Sequence, residues 1–164
     1  MSIGSQSTSD GVAVRAGRER SERAVTIIEL MVVVLVIGAL LAVAIPVFNG
    51  ARGRASDSVA KSTIKIGHEA ATVLMVDTAD FSGVNPGSMA AVEGSISYRS
   101  GPSPDPLTLS VRANQNWFRG AVRSDTGLCF YVYARPNQPT LYGSRERNRC
   151  RAQHARFFAT STTW

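Results

Sequence analysis

Only two cysteines, Cys129 and Cys150, and two histidines, His68 and His154, occur among 164 residues, and aromatics make up 7%. The histidines lie far apart, with no cysteine or carboxylate at ligand spacing, so the sequence offers no set of metal ligands. A nucleophile elbow, a glycine-rich phosphate loop, an HExxH pair and a carboxylate pair are also missing. The chain does not read as an enzyme, and neither a cofactor nor a metal is expected. Acidic residues are scarce beside basic ones, 12 against 18, which leaves a net charge of +6. No internal repeat is visible. So little aromatic and aliphatic material remains outside one apolar run that any folded domain must have a small core, of the kind often reinforced by a disulfide.

That run is VTIIELMVVVLVIGALLAVAI, residues 25–45, in which Glu29 is the only charged side chain. As a helix rising about 1.5 Å per residue it would reach about 31 Å, close to the hydrocarbon thickness of a bilayer. Residues 1–24 are polar, lack periodicity and end in the charge-dense RERSER, so they read as a leader. No small-residue cleavage motif follows the apolar run, and it is therefore expected to remain as a single membrane pass over 25–46. Arg15, Arg18, Arg20 and Arg23 precede it, and Arg52, Arg54, Lys61 and Lys65 follow it. This balance does not orient the span. Cysteines able to pair outside the reducing cytosol favour a cytosolic N-terminus and an external C-terminus. Two buried free thiols are the other reading of the pair.

Pro46 should break or kink the helix, because it lacks an amide hydrogen and crowds the carbonyl four residues back. Helical patterning resumes beyond it. Phe48, Ala51, Ala55, Val59, Thr63, Ile66, Ala70 and Leu74 recur at steps of three and four and define one apolar face. A continuous helix from Val25 to about Ala79 is the simplest reading, with its part over 47–79 amphipathic. From Phe81 the pattern becomes turns and short strands. Asn85-Pro86-Gly87 reads as a turn, and Ser88 as the cap of a short helix through Glu93. Strands are expected over Ser95–Arg99, Leu107–Arg112, Trp117–Arg123 and Leu128–Ala134, with SDTG at 124–127 as a hairpin connection. The expected fold is α+β: a four-stranded antiparallel sheet laid on the amphipathic half of the long helix. Residues 47–164 would form the soluble head, with sheet and cysteines in 95–164 and a long loop over 134–149.

The stretch Val25-Thr26-Ile27-Ile28-Glu29-Leu30, after a charged leader and before a long apolar run, resembles the N-terminal signature of type IV pilins and pseudopilins. The resemblance implies that a membrane peptidase cuts between Ala24 and Val25 and that the new N-terminus at Val25 is methylated. It also makes Glu29 the fifth mature residue, and Pro46 matches a proline found partway along the helix in that family. Ala24 stands where glycine is usual, and Val25 where phenylalanine or methionine is usual. Trp117, the run GAVRSDTGLCFYVYARP, then LYGS, Cys150 and Trp164 resemble pilin-like proteins of high-GC Gram-positive bacteria. The implied fold is the pilin fold. The implied partners are other pilin subunits, the prepilin peptidase, the assembly machinery and the cytoplasmic membrane, with a surface filament as the destination.

On this resemblance, cleavage would create an ammonium at Val25 for a Glu29 carboxylate of a neighbouring subunit to meet, and the pair would set the register of assembly. A glutamate snorkelling at the membrane edge is the plainer reading. The basic cluster Arg145, Arg147, Arg149, Arg151 and Arg156, with Tyr142 nearby for stacking, could hold the phosphate backbone of nucleic acid, as in a DNA-binding minor pilin. A solvated loop, or pairing with acids of the next subunit, is the plainer reading. A pseudopilin of a type II secretion system is a further alternative.

Overall fold

Thr26 opens the first helix: its Oγ1 accepts the backbone N–H of Glu29 at 3.3 Å, and its carbonyl accepts that of Leu30 at 3.1 Å. The computed structural model describes residues 26–164, apart from the Asp77 side chain. The expected leader over 1–24 and the Ala24–Val25 bond lie outside the described residues. Helix α1 spans Ile27–Thr78 and continues through Pro46, in keeping with the reading of one continuous helix to about Ala79. Proline removes one donor from a ladder that neighbouring hydrogen bonds on both sides maintain. Ala79, in the left-handed region at φ 59°, ends α1. Beyond it the Asp80 carboxylate accepts the Ser82 N–H at 2.7 Å, fixing the exit turn.

The described residues fall into two units, one ending at Leu41 and the other running from Ala42 to Trp164. In the first, the described side chains from Thr26 to Leu41 are all exposed, and Val, Leu, Ile and Met dominate them. α1 is long and apolar enough to cross a membrane.

In the second unit the sheet has five strands in the order β1-β2-β3-β4-β5. They are β1 (Ser97–Arg99), β2 (Thr108–Asn114), β3 (Trp117–Arg123), β4 (Leu128–Ala134) and β5 (Leu141–Glu146). Two features correct the expectation of four antiparallel strands. β1 runs parallel to β2, pairing Tyr98 with Leu109, after a connection that carries Pro102, Pro104 and Pro106. β5, inside the stretch expected to be a loop, pairs antiparallel with β4 from Leu128↔Glu146 to Tyr133↔Leu141. The β3–β4 hairpin turns at SDTG, where Gly127 at φ 88° takes a backbone conformation that L side chains rarely adopt. Helix α2 (Pro86–Val92) precedes the sheet. Its cap is Asn85, whose Oδ1 accepts from Gly87 and Ser88, while Ser88 Oγ accepts from the Asn85 N–H. Ser88 is thus the reciprocal member of a capping box and not the cap itself.

Alternation along the strands divides the sheet into two faces. Leu109, Val111, Phe118, Val122, Phe130 and Val132 form one core with Ala60, Ile64, Ala70 and Ala71 of α1. Ala121, Cys129, Tyr131 and Tyr133 form a second core with Cys150, Ala155 and Ala159. The buried stripe of α1 runs through Ser56, Ala60, Thr63, Ile64, Gly67, Ala70 and Ala71. It coincides with the expected face only from Thr63 onward. Before that, Phe48 is 63% and Val59 39% exposed, and small residues face the sheet instead. Close approach is clearest at Gly67, where a Cβ would collide with the Leu109 side chain. Ser56 Oγ accepts the Asp125 N–H at 2.8 Å, and Thr63 Oγ1 donates to the Pro106 carbonyl at 2.7 Å.

The tail covers the other face through a 3-10 turn (Ala152–His154) and helix α3 (Ala155–Phe158). Ser103 and Cys150 form a bridge, the Ala152 N–H reaches Ser110 Oγ at 3.0 Å, and Tyr142 pairs with Ser161. A Cβ on Gly143 would strike the Phe158 carbonyl, so β5 needs glycine where the tail crosses it. Trp164 closes the chain against Phe130 and Tyr142, at centroid distances of 5.4 and 5.1 Å.

Candidate functional site

Glu29 occupies the third position of α1, three residues after the capping Thr26. There a carboxylate lies against the positive end of the helix dipole. Threonine followed three residues later by glutamate is a capping-box pattern, which reading the glutamate as an isolated charge in an apolar run overlooked. Val25, the proposed site of cleavage and methylation, lies outside the described residues. Beyond Glu29 the next charged residue is Arg52.

Cys129 on β4 and Cys150 before the 3-10 turn are joined, with Cα atoms 5.4 Å apart. The bond ties the tail to the middle of the sheet, beside Tyr131 and Ala155. His68 is half-buried on α1, where Nε2 lies 3.0 Å from the Thr140 hydroxyl and the ring packs near Phe118. Burial lowers its pKa, while Glu69 nearby works against that shift. His154 also has a lowered pKa, through burial first and then the Arg147 and Arg151 charges. Among the described residues no three His, Cys, Asp or Glu side chains converge as a metal set would.

The five arginines grouped in sequence are spread over several surface sites and do not line one cavity. Arg145 and Arg147 lie over the Phe158 ring, 5.8 and 5.2 Å from its centroid. Arg149 shares a cavity with Arg147, Asn148 and His154, whereas Arg151 lines a different one beside Arg112. Arg156 stacks on Phe157 at 4.2 Å. Tyr142 faces the helix-side core and packs on Trp164, so it is no stacking platform for a ligand of the arginines. Two cations that sequence reading missed, Arg112 on β2 and Arg119 on β3, stand with Arg156 in one cleft of about 330 Å³. Their signal was the cross-strand pairing itself, which appears only once the register is known.

Described in this way, the protein is an α+β head that continues from an apolar helix able to cross a membrane. The chain matches no family model, no curated protein and no solved structure.

Proposed function

We propose that the protein is a structural subunit of a type IV pilus or pilus-like filament, made as a membrane precursor and processed between Ala24 and Val25. One observation carries the reading. A single helix, Ile27–Thr78, begins as an exposed apolar segment with one carboxylate in its first turn and ends as the core-forming helix of a small α+β head. Exposed valine, leucine and isoleucine over so long a stretch need either lipid or the same segment of neighbouring subunits around them. The segment therefore serves twice, as a membrane anchor before assembly and as the packed centre of a filament afterward. The Cys129–Cys150 bond supports an external head, since such bonds persist outside the reducing cytosol.

Glu29 contributes in two separable ways, through the helix dipole and through pairing with the Val25 ammonium of the next subunit. Glu29→Gln keeps a side chain able to cap and removes the charge, whereas Glu29→Ala removes both. Filaments sheared from cells should yield a mature N-terminus at Val25 by mass spectrometry. Both variants should accumulate in the membrane fraction yet leave surface filaments scarce. A mature start at Met1 or beyond Ile28 would refute the filament reading. Wild-type filament abundance in Glu29→Gln would refute the pairing role alone.

A further inference from the structure

On the tail-side face of the sheet, Arg112 and Arg119 are direct cross-strand partners in the β2–β3 register. Like charges placed opposite one another destabilise an antiparallel pair. Arg156 of α3 adds a third cation to the same cleft, and no acidic side chain lines it. Two of the three arginines lie over aromatic rings. The Arg119 guanidinium lies 3.7 Å from the Trp117 centroid and 5.0 Å from that of Tyr133, and Arg156 lies over Phe157. Stacking of this kind fixes the plane of a guanidinium while leaving its edge donors to a ligand. Among the residues that line the cleft, Arg119 Nε and His154 Nδ1 are buried and have no hydrogen-bond partner. An adjoining cavity of about 450 Å³ shares Arg112 and Gln153 and contributes Arg151.

We propose that this cleft binds a phosphate ester, with the phosphate held among Arg112, Arg119 and Arg156 and the esterified group extending toward Gln153 and Arg151. A carboxylate has two oxygens and is satisfied by one guanidinium fork, whereas a phosphate monoester offers three terminal oxygens and a double charge to three forks. The ring faces of Trp117 and Phe157 already carry guanidiniums, so recognition falls on the charged group and not on an aromatic base stacked there. An anion between Arg112 and Arg119 also removes the cross-strand repulsion, which gives binding and folding a common cause.

The test is thermal unfolding and calorimetric titration of the full chain in maltoside micelles, with glycerol 1-phosphate, inorganic phosphate or acetate at matched ionic strength. Glycerol 1-phosphate should raise the melting temperature where acetate does not. Arg112→Gln, at an exposed position, should melt higher than wild type in phosphate-free buffer and bind glycerol 1-phosphate about tenfold or more weakly, the usual scale for losing a hydrogen bond to a charged group. Arg119→Lys keeps the charge but loses the fork and should weaken binding similarly. Equal stabilisation by acetate and glycerol 1-phosphate, or unchanged affinity in Arg112→Gln, would overturn the proposal. Tighter binding of inorganic phosphate than of the ester would overturn the ester assignment and leave the free ion as the ligand.

Discussion

At the scale of single residues, His68 couples the head to pH. Burial lowers its pKa in the folded chain, and unfolding returns it to about its ordinary value of 6.5. Between those two values the unfolded chain binds the extra proton. Stability is therefore complete above about pH 6.5 and declines as pH falls toward the lowered folded value. His154 acts with the same sign. Asp80 and Glu93, held low by hydrogen bonds from Ser82 and Ser95, act only in a more acid range, around and below their ordinary values of 3.8 and 4.5. Melting temperatures measured from about pH 7 down to about pH 5 should fall in wild type and flatten in His68→Gln, with the remaining slope from His154. An unaltered slope in His68→Gln would show that burial of this ring does not control the pH response. Neither His68 nor Gly67 could be assigned from sequence, because the burial of one and the close approach at the other depend on which face of α1 meets β2.

At the scale of elements, the tail packs on the sheet through few residues. Ala155 and Ala159 are small, α3 has four residues, and Gly143 is needed for it to seat. The Cys129–Cys150 bond compensates by tying this segment to β4. Reduction, or replacement of both cysteines by serine, should lower unfolding stability by about 2–4 kcal/mol, as expected for a closed loop of this size. Trypsin should then cut first at Arg151 and Arg156, before the sheet is attacked, and peptide mapping over a time course checks the order. Early cleavage in the β3–β4 region would show that the tail is not the element the bond secures. Strands β2, β3 and β4 could be read from their alternation and from the SDTG turn. β1 was read too, within the strand expected over Ser95–Arg99, but its parallel pairing with β2 was not, since three residues carry almost no signal of direction. β5 was obscured by Gly143 and by the charges Arg145 and Glu146, which occupy a strand at the sheet edge.

At the scale of the whole molecule, the apolar part of α1 is long and apolar enough to cross a membrane, and this makes a prediction about where the protein resides. With its side chains from Ile27 to Ile45 exposed, the full chain should stay in the membrane pellet through alkaline carbonate extraction. Val36→Arg places a cation near the middle of the span, at a cost of about 2.5–3.5 kcal/mol on insertion scales, and should reduce the membrane-associated fraction. Release of the wild-type chain by carbonate would show that the segment does not span the bilayer. The Glu29 variants are the useful contrast, because that position lies near the end of the segment and not at its centre.

The sequence by itself determined the apolar helix, its carboxylate, the change from helical to strand patterning near Phe81 and the hairpin at 124–127, because each rests on local periodicity or turn chemistry. Local pattern also marked most of the strand residues that make the core. Tertiary structure alone decided the rotation of α1 against the sheet, where Ser56 and Ala60 face inward in place of bulkier neighbours and Gly67 leaves room for the Leu109 side chain. It decided the parallel course of β1, which follows from the path of a proline-rich connection. It also distributed the arginines clustered near the C-terminal end over more than one cavity and brought Arg112, Arg119 and Arg156 together from three elements. Strand register and tail docking place side chains that are distant along the chain, and no local pattern encodes either.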